Sequence, residues 1–222
     1  MKTKLCVAIG VFAAASIAHA DTIYTSESAW AAAVSGITTV NFEGIVSSTA
    51  TSPDPTGYED VTPSLAVGGV TFALGPSAPA GAALFVIGDA YYGFGVATIS
   101  AQAGSGTDDL QITLPSSATA IAFDYFLDPA TYTVTLSDGA TTMLTPSDTP
   151  TSGFLGVTAP GGITSLDITS TISLSALSIN VSDASYATAN PVATPEPKSA
   201  ILLVALLAFG LVMRRRLAKT IA

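Results

Sequence analysis

The sequence predicts an all-β domain of two packed sheets with one short helix at its start. Three observations lead there. Short runs that alternate apolar and polar residues recur from Ile37 to Val181. Val, Ile, Thr and aromatic residues fill those runs, which suits a pleated, half-buried surface. Gly, Pro, Asp and Ser punctuate them at close intervals, as in sandwiches of short strands.

The elements follow in order. Residues 26–35 read as the helix: Ser26 or Thr25 can cap it, Glu27 suits the first turn, Gly36 follows its end, and Trp30 is its core anchor. The first strand is Ile37 to Phe42. Val67 to Leu74 comes next, with Val70 and Phe72 on one face, then the short apolar run Leu84 to Ile87. Leu110, Ile112 and Leu114 alternate up to Pro115, and Ile121, Phe123 and Tyr125 alternate after it. Tyr132, Val134 and Leu136 run into Asp138-Gly139, a strong hairpin turn, and Thr141 to Thr145 is the return strand. Phe154 to Val157, Ile163 to Thr169 and Ser173 to Val181 complete nine or ten strands. In the last of these the apolar parity changes, which a bulge near Ser175-Ala176 would produce. The whole reads as a jelly-roll-like β-sandwich over 21–181. Residues 46–56 are rich in Ser, Thr and Pro and read as a surface loop, and 182–193 as a flexible linker.

Charge is segregated. All seven basic residues lie outside 21–197, and all sixteen acidic residues lie within it. This segment therefore carries no cation to face a phosphate, which excludes nucleic acid as a partner. Its carboxylates must be solvated, hydrogen-bonded or bound to metal, and calcium is a reasonable ligand on electrostatic grounds. The one Cys, Cys6, and the one His, His19, lie ahead of the domain. Thiol and imidazole catalysis, Schiff-base chemistry and His or Cys zinc sites are thereby excluded from it.

The two ends carry targeting signals. Lys2 and Lys4 precede an apolar stretch, and Ala18 and Ala20 supply the small residues for cleavage before Asp21. Residues 1–20 thus read as a secretory signal peptide, with signal peptidase as partner. At the other end, 194–219 opens with Thr194 and then Pro195, Glu196 and Pro197, a stiff extended element. Fifteen residues from Ser199 to Met213 follow without a charge, then Arg214, Arg215, Arg216 and Lys219. As a helix, 199–213 would span ~22 Å, short of the ~30 Å hydrocarbon core. Snorkelling arginines extend it, so a single C-terminal transmembrane helix in the inner membrane is expected, with the 214–219 basic cluster cytoplasmic.

This ordered tail resembles the PEP-CTERM sorting signal of exopolysaccharide-producing Gram-negative bacteria. The resemblance rests on Pro195, Glu196, Pro197 and Arg214 to Arg216 within 194–219. It implies recognition by an exosortase, and then transfer from a membrane-anchored intermediate to the cell surface or extracellular matrix. The domain resembles the exported β-sandwiches that precede such tails. The matching pieces are Val40-Asn41-Phe42-Glu43-Gly44, Gly69-Val70-Thr71-Phe72, Ile112-Thr113-Leu114-Pro115, Ala122-Phe123-Asp124-Tyr125 and Phe154-Leu155-Gly156-Val157. Members often end on a Leu-Asp-Asn-hydrophobic strand. Here Leu177-Ser178-Ile179-Asn180 lacks the Asp.

Candidate site residues are few. Glu43, with Asn180 or Asp183, is the candidate calcium site, against the plainer reading of a solvated turn carboxylate. Asp108-Asp109 follows a Gly-rich loop and reads as a polar turn rather than a cation loop, since it lacks EF-hand spacing. Tyr91 and Tyr92, in Tyr91-Tyr92-Gly93-Phe94-Gly95, could stack on sugars. In a strand the two would face opposite ways. Asp124 and Asp128 are the minimal pair for glycoside hydrolysis. The expectation is a non-catalytic surface or matrix module that binds exopolysaccharide or serves structurally. The alternatives are a carboxylate-dependent glycan hydrolase and a calcium-stabilised adhesion module.

Overall fold

The structure, a computed structural model, describes residues 21–52, 54–104, 106–127, 131–144, 151–170 and 179–188. The expected signal peptide, the expected sorting motif, the 199–213 segment and the 214–219 cluster lie outside these residues, as do Asp128 and the expected bulge at Ser175-Ala176. Among the described residues no helix is long and apolar enough to cross a membrane.

Twelve antiparallel strands, one α-helix and a 3-10 turn at Pro55–Gly57 are seen there: β1 Thr22–Tyr24, α1 Glu27–Ala33, β2 Ile37–Val40, β3 Tyr58–Asp60, β4 Ser64–Val67, β5 Val70–Leu74, β6 Ala83–Ile87, β7 Thr98–Gln102, β8 Asp109–Leu127, β9 Tyr132–Leu136, β10 Thr141–Leu144, β11 Thr151–Ser170 and β12 Ile179–Ala187. Two long strands organise them. The first half of β8 and the second half of β11 pair at Thr113–Ser165 through Asp109–Thr169. Around them lie β5 and β4 on one side and β9 and β10 on the other. The other halves pair from Ala120–Thr158 to Leu127–Thr151. There β1 borders β11, and β12, β7, β6 and β3 continue beyond β8. β2 joins the far part of β12. Two layers result, and one hydrophobic core draws on both, with Phe72, Leu110, Ile112, Val134 and Ile168 from one and Phe42, Leu84, Ile99, Phe123 and Val181 among the rest. Phe42 and Phe72 meet edge to face at 4.9 Å.

Several boundaries differ from expectation. Pro115 does not end a strand. The β8–β11 register shifts between Thr158/Ile163 and Ile163/Ser165, so the chain passes Pro115 by skipping ladder positions, where a missing N–H costs nothing. What read as two pairs of short strands is two long bent ones. Val67 to Leu74 is not one strand: Gly68 and Gly69, at φ 57° and 83°, form the tight turn between β4 and β5. The linker expected from residue 182 is strand up to Ala187, pairing Ala184–Val40 through Ala187–Ile37. Its small Ala184 and Ala187 are buried, so the domain closes on itself with residues too small to register as a hydrophobic run.

The helix forms where expected. Ser26 occupies the N-cap position with extended backbone, though its side chain makes no capping bond. Trp30 is the one buried residue of α1 and rests on Ala120, Ala122 and Ala187, with Tyr24 and Phe154 beside it. A Cβ at Gly156 would strike the indole. The helix therefore seats on the outer face of the second layer, where small residues leave room for it.

Candidate ligand-binding face

The rest of that outer face carries the site. Antiparallel partners present side chains on the same side, so the register defines rows across the sheet. One row runs Asp60–Phe85–Ser100–Asn180–Phe126–Ser152. The neighbouring row holds Tyr58–Ile87–Thr98 from β3, β6 and β7, and Ser182–Asp124–Phe154 from β12, β8 and β11. The intervening residues, Val86, Ile99 and Val181, point into the core.

Polar residues on an outer face should meet water, yet Thr98, Ser100, Asn180 and Ser182 are buried. The segment 88–97 reaches this face, where Phe94 stacks on Phe126. It is a loop between β6 and β7, closed at its base by Gly95 N–H donating to Asp89 O at 3.0 Å. The Ala97 N–H donates to Glu43 Oε1 at 3.2 Å. Its rings continue those of the sheet: Phe85–Tyr58 at 6.1 Å, Tyr58–Tyr91 at 5.4 Å, Tyr91–Tyr92 at 4.7 Å, Tyr92–Phe94 at 6.0 Å, and Phe94 stacked on Phe126 at 4.9 Å. Six rings thus arch from the β3 edge to β8. Tyr92 is 62% exposed and Tyr58 40%, while the other four are half-buried. Burial, then the neighbouring Tyr91 and Tyr58, pushes the Tyr92 phenol up, so its hydroxyl stays a protonated donor at neutral pH.

Beneath the arch, Asn180 Nδ2 donates to Phe126 O at 3.0 Å. Thr98 Oγ1 and Ser182 Oγ are buried without a protein hydrogen-bond partner. Asp183 lies at the rim with φ 44°, where the β12–β8 register shifts between Ser182 and Ser185. This is a bulge, and Asp tolerates the left-handed conformation it needs. Burial first, then Glu43 and Glu27, raises the Asp183 carboxyl. Burial first, then Glu27 and Asp183, raises Asp124. Asp183 thus has carboxylates of α1, of β8 and of the residues after β2 as neighbours, with no Lys or Arg in 21–197 to offset them.

The predicted residues land as follows. Tyr91 and Tyr92 belong to the arch. They sit in a loop, not a strand, so their rings meet edge to face instead of facing opposite ways. Glu43 and Asp183 come close enough to interact, and Asn180, in the polar row, donates its Nδ2–H to Phe126 O. Among the described residues no three His, Cys, Asp or Glu side chains group as a metal site. Asp108 Oδ1 accepts from Ala103 N–H at 2.6 Å and Asp109 Oδ2, at the start of β8, from Ser77 N–H at 2.7 Å, so each buried carboxylate braces a neighbouring segment. Asp21 lies near Asp138, where burial and then that neighbour raise its carboxyl. Tyr58, Phe85 and Phe126 were not singled out. They join the arch only through long-range pairing, and Tyr58 follows directly on a stretch that reads as loop.

No protein-family model matches the sequence, and no curated protein matches it. Among solved structures the chain is similar to variants of a family 29 carbohydrate-binding module. One is 15% identical over 72% of this chain and 99% of that chain, with a TM-score of 0.34. A second is 12% identical over 72% and 96%, with a TM-score of 0.33.

Proposed function

We propose that this is a non-catalytic polysaccharide-binding module, jelly-roll-like in its sandwich, carried on an exported surface or matrix protein. The carrying observation is the six-ring arch with Tyr92 and Tyr58 open to solvent. Pyranose rings offer C–H faces that pack on aromatic rings, and phenol hydroxyls at the rim can bond sugar hydroxyls. Rings held by their neighbours lose little freedom on binding, which favours a preformed platform. Export and sorting belong to the same reading: signal peptidase would cut after Ala20, and an exosortase would act at Pro195-Glu196-Pro197 while 199–213 sits in the inner membrane. The sequence of the two ends supports that part. A binding role also agrees with the residue types in the domain, where carboxylates and hydroxyls are the only reactive groups.

Affinity electrophoresis against a polysaccharide series, with Tyr92→Ala beside the unchanged protein, tests the site. Removing the exposed ring should weaken retardation by about tenfold in Kd, with unchanged far-UV circular dichroism. Equal retardation of both proteins would exclude the arch as the binding surface.

A further inference from the structure

Resting on that reading, we infer that the arch selects a glycan bearing free amino groups, such as a polymer rich in de-N-acetylated hexosamine, over neutral and acidic polysaccharides. The argument begins with what flanks the rings. Asp60 stands directly opposite Phe85 across the β3–β6 ladder, at the exposed edge beside Tyr58. Asp54 lies in the segment that supports Tyr91: Ser52 N–H donates to Tyr91 O at 3.2 Å, and Tyr91 packs against Gly57, where a Cβ would strike its ring. Both carboxylates are fixed in place. Asp54 Oδ1 accepts from the Thr56 N–H at 3.0 Å and the Thr56 hydroxyl at 2.9 Å, and Asp60 Oδ1 accepts from the Thr62 N–H at 2.9 Å. The Thr56 N–H and then its hydroxyl hold the Asp54 carboxyl below the usual range, and the Thr62 hydroxyl and then its N–H do the same for Asp60, so both are ionised at neutral pH. At the far side of the face stand Asp124, Asp183 and Glu43.

No Lys or Arg exists anywhere in 21–197 to offset these charges. A uronate or sulfated chain laid on the rings would meet carboxylates alone and be repelled. A neutral chain would gain stacking only. A chain with ammonium groups on its sugars gains stacking from the rings and charge-assisted bonds from Asp54 and Asp60. Aromatic faces also attract cations directly, which adds to the same preference.

Calorimetric titration with soluble glucosamine oligomers tests this, against the same oligomers N-acetylated, uronate oligomers and poly-lysine of matched length. The free-amine oligomers should bind roughly fivefold to tenfold tighter than their acetylated forms, and the uronates should not bind. An Asp54→Asn/Asp60→Asn double variant keeps the acceptor oxygens and should remove most of that preference. Tyr92→Ala should weaken both glucosamine forms. Equal affinity for free-amine and acetylated oligomers, with both dependent on Tyr92, would sink the charge selection and leave the glycan site standing. Failure of every oligomer to bind would sink both. Poly-lysine bound as tightly as the amino sugars, or binding indifferent to Tyr92→Ala, would show general attraction to an acidic domain and overturn the inference.

Discussion

On its inner face, the layer that contains β6, β7 and β12 lines up Val86, Ile99 and Val181, all sealed in the core. One residue away on each strand, its outer face lines up Phe85, Ser100 and Asn180, and two of these are polar yet just as buried. The same three strands thus make two kinds of interior. The first excludes water by packing two layers together. The second keeps polar side chains buried beside a loop whose Phe94 stacks on Phe126 and whose Tyr92 reaches solvent. The inner face is the larger store of stability, and the outer face holds the exposed rings of Tyr92 and Tyr58.

That contrast can be broken or sharpened by substitution. The largest effect belongs to the core: Phe72→Ala should cost about 3–5 kcal/mol in urea denaturation, because Phe72 is fully buried against Phe42. Glycan affinity of the fraction that folds should not change. Next comes Gly57→Ala. Its Cβ would collide with Tyr91, so either the ring or the 50–57 segment must move. A loss of about 1–3 kcal/mol is expected, and here glycan affinity should fall as well. A stability loss without an affinity loss would separate Tyr91 from the site.

Smaller effects come from the carboxylates. The Asp124 and Asp183 carboxyls are raised, so at mildly acidic pH the folded domain holds protons that the unfolded chain has released. Stability should therefore rise as pH falls from neutral through those raised values. It should turn down only below the usual carboxylate range, where Asp54 and Asp60, shifted the other way, take up protons. Thermal melts from pH 7 to pH 4 follow this directly. Asp183→Asn suits the positive φ, should raise the melting temperature at pH 7 and should flatten the slope. A slope left unchanged would remove Asp183 from the cluster. The smallest effect is expected of Thr98→Val, which deletes a buried hydroxyl that has no protein partner. A change within about 1 kcal/mol, of either sign, should follow in denaturation. A loss well beyond that would mean the hydroxyl contributes more to the buried row than its contacts show.

How much was legible in the sequence follows the same division. Alternation found the inner-face strands because Leu110, Ile112, Phe123 and Val134 repeat every second residue and are large. The helix was legible from Ser26, Glu27 and Trp30. Short edge strands such as β1 and β3, and β7 with its small and hydroxylated residues, offered too little contrast. Ser182 to Ala187 looked like linker for the same reason. Tyr91 and Tyr92 announced an aromatic cluster, but the arch needed Tyr58, Phe85 and Phe126, 33 and 6 residues before and 35 after Tyr91, and only strand pairing brings these together. Asn180 and Asp183 are close in sequence, but the bulge and the pleat give them different neighbours.

β8 and β11 each cross from one layer to the other, so neither sheet can be peeled away while the other stays hydrogen-bonded. The domain lacks a seam along which it could open by halves, and amide exchange should show one slow class spanning both sheets. For a chain with no Lys or Arg between residues 4 and 198, this seamlessness is a second defence: proteases that cut at basic residues find no site, and less selective ones must wait for the whole sandwich to come apart.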